Sequence, residues 1–399
     1  MPVKSRIKAL SEEYFDEVVE IRRHLHQHPE LSYQEFETSA FIRRELEKLG
    51  IPFKNIFHTG IVGEIKGHNP ERFTVALRAD IDALPIQEKN SIEYKSQNEG
   101  IMHACGHDVH TASLLGALKI LNELKDSWEG TVKFIFQPAE EKLPGGAKQL
   151  IEEGVLNDPR PDLIIGQHVY PDLPVGTIGF KPGAYMASSD ELFLTIKGKG
   201  GHGGMPHKIN DTVLSASQVI SSLHANIHRY APADIPTVLS FGRVIADGAT
   251  NIIPDEVRID GTFRTMDEEW RAKAHRLITN IAQSVAKSLD TECLAEIKKG
   301  YPVLYNDEKV SREALRFSGE YLGEHMIKLL EKRMTAEDFA YYTQEIPGIF
   351  FRLGTGNKEK GIQSPLHSST FNIDEQALRI GMGHLAWLTF QFLDQKRTT

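Results

Sequence analysis

Three short apolar runs, each ending in or soon followed by residues of metal-ligand type, constrain this chain more than any other feature. They are FTVALRAD (73–80), TVKFIFQ (131–137) and DLIIGQHV (162–169). Apolar runs this short fit strands buried on both faces, as in a parallel sheet covered by helices. Helical spacing precedes them and separates the first two. Apolar residues recur at helical intervals from Tyr14 to Leu25, from Tyr33 to Leu49, where Gly50 and then Pro52 end the pattern, and from Thr111 to Leu124. Alternation of this kind predicts an α/β layer whose mixed, largely parallel sheet is flanked by helices.

The pattern changes near Gly183. Strands fit DELFLTIKG, Thr237–Ile245, Glu256–Thr265 and Glu292–Lys298, with helices at Asp211–Arg229 and Asp267–Leu289. That order is βαββαβ, a ferredoxin-like unit whose central pair is antiparallel. A chain of 399 residues is too long for one comfortable core. The expected organisation is a first domain over 1–184, an inserted ferredoxin-like domain over 185–299, and the first domain resumed over 300–399, closing with the helix Asp374–Phe392.

Several function classes are disfavoured. A formal net charge of -9 argues against a nucleic-acid partner, because phosphate binding needs a basic surface. The start, MPVKSRIKALSEEYFDEV, is charged throughout, and no apolar run approaches a bilayer-spanning length, so no membrane role is expected. Cys105 and Cys293 lie far apart and form no CxxC pair. A reducing compartment is the default, and the cytoplasm is the expected location.

The chemistry gathers after the apolar runs, where α/β proteins place their sites. MHACGHDVH brings Cys105 and His107 together; in an extended segment the two share a face across Gly106. Thiolate and imidazole are good ligands for zinc-like ions, although Asp108 could instead cap a following helix. QPAEE places Glu140 and Glu141 just past a strand that Pro138 ends, so one carboxylate can bind metal while the other acts as a base. A solvated acidic turn is the plainer reading of that pair taken alone. His168 follows DLIIG, and His367 in SPLHSSTF can fold back to the same sheet edge. Five ligands exceed one tetrahedral site and suit two ions sharing a bridge. Asp80 and Asp82 in LRADIDALP add carboxylates that can orient a ligand imidazole. Gly198, Gly200 and Gly203 fit GxGxxG, but Met205-Pro206 follows where a dinucleotide site needs a helix.

RRHLHQHPELSYQEFET, LRADIDALPI, MHACGHDVHTASLLGA, FQPAEE, KGKGGHGGMPH, NIIPD, GTFRT, MTAEDFAYY and LHSSTFNIDE occur in this order. Together they resemble the amidohydrolase branch of the dinuclear aminoacylase and carboxypeptidase family, which holds hippurate hydrolases, N-acyl-amino-acid deacetylases and auxin-conjugate hydrolases. The resemblance runs nearly end to end. It implies Cys105, His107, Glu141, His168 and His367 as metal ligands, Glu140 as general base and Asp80 as the acid supporting the site. His202 matches a histidine that polarises the substrate carbonyl, often across a dimer, Asn251 a residue that holds substrate, and Arg264 a partner for the substrate carboxylate. The chain departs from the family in EEKLPGG, where a glycine commonly follows the glutamate pair, and at Gly204, where alanine is common.

The expected reaction is therefore amide hydrolysis of a small N-acyl amino acid or dipeptide, with two divalent ions (zinc, manganese, cobalt or nickel), in a homodimer or higher homo-oligomer whose smaller domain serves dimerisation or acts as a lid. Metallo-carboxypeptidase or dipeptidase action is the near alternative. Thiol hydrolysis by Cys105 with His107 or His110 as base, or a non-catalytic metal-binding protein, are the alternatives in other classes.

Overall fold

Each apolar run forms a strand: Thr74–Asp80 and Thr131–Gln137 are buried throughout, polar ends included, and Leu163–Pro174 is buried until its last residues. The structure, a computed structural model, describes residues 1–395, so the last four residues of the expected 300–399 segment lie outside it. The chain divides into two units. The first comprises Met1–Gly183, Tyr305–Glu331 and the described residues from Asp338 onward; the second comprises Ala184–Leu304 with Lys332–Glu337.

The first unit is built on an eight-stranded mixed sheet flanked by helices, an α/β layer as the strand–helix alternation implies. Its order is Phe53–Ile56, Gly60–Lys66, Thr131–Gln137, Thr74–Asp80, Leu163–Pro174, Gly348–Gly356, Ile178–Phe180 and Ile327–Leu329. The four central strands run parallel, with Asp80 opposite Gln137 and Arg352 opposite His168. Their carboxyl ends therefore meet along one edge. The sequence reading lacks five of these strands, Phe53–Ile56, Gly60–Lys66, Ile178–Phe180, Ile327–Leu329 and Gly348–Gly356, and four helices, Val3–Glu13, Gly146–Glu152, Glu308–Leu322 and Ala340–Glu345. Leu77, Phe136, Ile165 and Phe351 pack the sheet into a core with Leu118 and Leu388 from the helices. The helix His107–Glu123 is buried on almost every side, which explains why its apolar residues form no single stripe.

The second unit holds a four-stranded antiparallel sheet in the order Thr237–Ala246, Glu256–Thr265, Asp190–Lys197 and Glu292–Lys299. Strand Asp190–Lys197 alternates strictly, burying Leu192, Leu194 and Ile196 against the helices Thr212–Tyr230 and Glu268–Ser288. Aspartates start both helices. Asp211 accepts from the Leu214 N–H at 2.9 Å and Asp267 from the Trp270 N–H at 2.6 Å. Among the described residues no helix is long and apolar enough to cross a membrane.

Candidate metal centre

The candidate ligands of the first unit reach one place by three backbone devices. The first is a glycine turn. Gly106 takes φ 81° and ψ 23°, and the helix His107–Glu123 begins at the next residue. A Cβ at Gly106 would also meet Val169 Cγ2 at 2.5 Å. Glycine is thus required twice over, by backbone sign and by space. Cys105 and His107 converge through this left-handed turn, not as alternate residues of an extended segment. Nor does Asp108 cap the helix; its carboxylate goes to Arg22 and His26.

The second device is the turn after strand Thr131–Gln137, where Pro138 ends the ladder and Ala139 adopts φ 53°, bringing Glu140 and Glu141 off the strand. The third is the loop before the last helix, where His367 takes φ 59° and its N–H donates to the Ala104 carbonyl at 2.9 Å. His168 needs no turn. It lies within its strand, which continues to Pro174, and not at the strand end that its sequence suggests.

These devices bring the Cys105 sulfur between two imidazoles, 3.4 Å from His168 Nε2 and 3.3 Å from His367 Nε2. His367 Nε2 is also 3.4 Å from Glu141 Oε1, and His107 Nε2 is 3.8 Å from the same oxygen. Two ligand groups result, Cys105–His107–His168 and Cys105–Glu141–His367, and Cys105 belongs to both. Glu140 lies with His107 and Glu141 in a third group. Glu140 is buried, whereas half of the His367 side chain reaches the surface.

The electrostatics ask for a cation. Asp80, Asp82, Glu140 and Glu141 crowd this end of the sheet, while the Arg78 guanidinium is divided between Asp80 at 2.6 Å and Asp338 at 2.8 Å. Burial pushes the His107 imidazole down, but Asp80, Asp82 and Glu141 outweigh it and hold it up at about 10. Burial, then Glu141, Glu140 and Asp80, push the Cys105 thiol well above its ordinary value. Burial and then Arg352 hold His168 well below its own, so that ring is neutral. His107 Nε2 and Glu141 Oε1 are buried with no hydrogen-bond partner among the described residues. Buried polar atoms of native proteins are nearly always satisfied, so two orphans facing one thiol need an explanation. A divalent ion would supply it, and the thiol, imidazole and carboxylate donors suit such an ion.

The support around the ligands divides differently from the sequence expectation. Asp82 Oδ1, not Asp80, pairs with His107 Nδ1, at 3.1 Å. Asp80 pairs with His110 Nδ1 at 2.6 Å, and His110 Nε2 accepts from the Val169 N–H at 2.9 Å. Burial opposes ionisation of Asp80, but His107, Arg78 and His110 hold it well below the usual carboxylate range. Arg78 and Asp338 complete this support with no assigned role in the sequence reading. Their signals were the i, i+2 spacing of LRAD and the AED of MTAEDFAYY.

His202, Asn251 and Arg264 belong to the second unit. His202 pairs with Ile252 across a two-residue ladder, and the Gly203 N–H donates to the Asn251 carbonyl at 2.8 Å, so His202 and Asn251 are neighbours. Both are exposed. The Gly204 N–H donates to His202 Nδ1 at 3.0 Å, so the neutral ring carries its proton on Nε2. Arg264 is half-buried, and its Nη1 donates to the Met334 carbonyl at 3.0 Å.

The sequence profile of peptidase family M20/M25/M40 matches residues 76–388. The chain belongs to this family. Among its M20 relatives is the N-acetylcysteine deacetylase of Bacillus subtilis, 40% identical over 379 residues that cover 94% of this chain and 97% of that protein. Thermostable carboxypeptidase 2 of Saccharolobus solfataricus is 37% identical over 396 residues, covering 98% and 99%. Among solved structures, a dinuclear metal-binding peptidase of the M20 family from Bacillus subtilis superposes with a TM-score of 0.83 at 36% identity, covering 96% of this chain and 99% of that one. Deacetylases and carboxypeptidases are hydrolases, and this M20 chain is an enzyme of that class.

Proposed function

We propose that the chain is a dinuclear metal-dependent amidohydrolase that cleaves the amide bond of N-acyl amino acids. Cys105, His107, Glu141, His168 and His367 hold two divalent ions, and Glu140 is the general base. One observation carries this reading: a single buried thiol is shared by two ligand groups, each completed by side chains from distant segments of the chain. Zinc, manganese, cobalt and nickel suit these donors better than magnesium. When bound, such ions make water acidic and stabilise negative charge on a carbonyl oxygen.

The chain's own residues do the rest. Asp82 fixes the His107 ring by its Nδ1, leaving Nε2 as the donor toward the ions. Glu140 takes the proton of the attacking water and passes it to the leaving amine. His202, with its proton on Nε2, is assigned to the substrate carbonyl, Asn251 to holding substrate and Arg264 to its carboxylate. These three assignments rest on the family resemblance. The chain acts as a homodimer through Thr237–Ala246, one of the two outer strands of the second unit's sheet, where Val244 is exposed. Light scattering tests that assembly. A ligand thiol must stay reduced, which suits the cytoplasm.

Glu140→Gln is the test. Turnover of N-acetyl amino acids should fall by about 100-fold to 10,000-fold with two ions per chain retained by elemental analysis. Normal rates would reject the base assignment. Carboxypeptidase action is the second reading, favoured by the relative of that name. A panel of acetyl, benzoyl, longer acyl and dipeptide substrates separates the two. Thiol catalysis is disfavoured, because a reactive cysteine needs a lowered pKa and that of Cys105 is raised. A thiol enzyme would also survive chelators.

A further inference from the structure

The segment HPELSYQE has no place in the chemistry above, yet it meets the glutamate turn directly. Glu35 is fully buried and ends this segment. It stands at the N-cap of the helix Phe36–Lys48 but makes no side-chain cap. Its Oε1 accepts from the Tyr33 N–H and from the Ala139 N–H, both at 2.9 Å, and its Oε2 accepts from Thr59 Oγ1 at 2.8 Å. Ala139 is the residue before Glu140, and at φ 53° it sits in a backbone region that a Cβ disfavours. On the other side of Glu140, the Glu141 N–H donates to Asp82 Oδ2 at 3.0 Å, and Ser32 Oγ donates to the same oxygen at 2.7 Å.

We propose that Glu35, together with the Ser32–Asp82 pair, is a clamp that positions Glu140 for proton transfer. The two backbone N–H groups flanking Glu140, those of residues 139 and 141, are each tied to a buried carboxylate. Both carboxylates are in turn tied to the segment 32–35 or to Thr59. A left-handed alanine would relax toward ordinary backbone geometry without such a tie, and Glu140 would move with it. Glu35 is not a catalytic residue; it touches neither substrate nor reacting atoms. The proposal rests on Glu140 being the base.

The test uses the metal-loaded, full-length enzyme and three substitutions at one position. Glu35→Asp keeps the carboxyl group but withdraws the acceptor from Ala139 by one methylene. Glu35→Ala removes it. Glu35→Gln keeps the oxygen acceptor and can still donate to Thr59. With misplacement of a catalytic group as the cause, kcat for Glu35→Asp and Glu35→Ala should fall by about 100-fold. KM should stay within about twofold and Glu35→Gln should retain a kcat within about threefold of the parent, because substrate binding and the acceptor survive. Two ions per chain should remain in all three. In a Glu140→Gln background, Glu35→Asp should cause no further loss. Parental kcat in Glu35→Asp, or Glu35→Gln as impaired as Glu35→Asp, would overturn the clamp. If Glu35→Ala does not fold, Glu35→Asp and Glu35→Gln still decide. Glu140→Gln measured alongside separates the two claims: full activity there rejects the base itself, whereas an inactive Glu140→Gln beside a normal Glu35→Asp rejects only the clamp.

Discussion

His107 and Asp108 are neighbours in sequence and both are buried, yet they face two clusters that solve the same electrostatic problem in opposite ways. On the Asp108 side the protein brings its own cations. Arg22 Nε donates to Asp108 Oδ2 at 2.8 Å, His26 Nδ1 meets the same oxygen at 2.8 Å, and His26 Nε2 lies 3.3 Å from Glu88. Burial opposes both charges, but Asp108 is held well below the usual carboxylate range and His26 above its ordinary value. On the His107 side carboxylates and a thiol outnumber the positive charge present. Unpartnered buried atoms do not separate the two, since Asp108 Oδ1 lacks a hydrogen-bond partner among the described residues as His107 Nε2 and Glu141 Oε1 do. A buried charge without compensation costs several kcal/mol. One cluster is therefore balanced in charge by the folded protein itself, and the other is balanced only with cations added.

The largest effect expected from this contrast is at Cys105. Cys105→Ala should lose at least one ion per chain and drop turnover to background, because the removed atom serves both ligand groups. Elemental analysis and the amide assay read it; retention of two ions would break the contrast at once. Arg22→Met attacks the other cluster. It leaves Asp108 buried without its guanidinium and should cost about 3–5 kcal/mol in denaturant unfolding, with ion content unchanged. A loss of metal in that variant would show that the two clusters are one.

Asp82→Asn comes next. It weakens the tie to His107 Nδ1 and should lower metal affinity by about 10-fold to 100-fold, measured by chelator competition. The smallest effect is a pH trend. Burial and then Asp82 raise the Glu35 carboxyl from its ordinary value of 4.5 to about 7. The folded protein then holds a proton that the unfolded chain has released, so this group's contribution to stability falls as pH rises from 4.5 to 7. Glu35→Gln removes that loss. Its stability relative to the parent should improve by roughly 2 kcal/mol between about pH 5 and pH 8, by urea unfolding at each pH. A flat or opposite difference would contradict the raised carboxyl.

How much of this was legible in the chain follows from the same comparison. Glu141 and His168 border apolar runs that report buried strands whatever the tertiary details, and Cys105 and His107 lead into the apolar helix that packs on them. Their convergence at one sheet edge is thus readable in advance. The conformation of Gly106 was not, because alternation in an extended segment and a left-handed turn into a helix both bring Cys105 toward His107. Nor was the division of labour between Asp80 and Asp82. The two differ by two positions in one strand-to-loop segment, and only the fold decides which meets His107 and which meets His110. Glu35 was least visible. Its partners, Thr59 and Ala139, are far away in sequence, and a glutamate before a helix looks like any surface residue. The return of residues 332–337 to the second unit carries no compositional mark either.

The decisive measurement is calorimetric titration of metal-stripped, folded protein with zinc or manganese, checked by elemental analysis of the product. Two bound ions per chain, with the second site lost in Cys105→Ala, is the predicted result. A protein that stays folded and saturates at one ion, or takes up none, would contradict the shared-thiol centre on which the proposed chemistry depends.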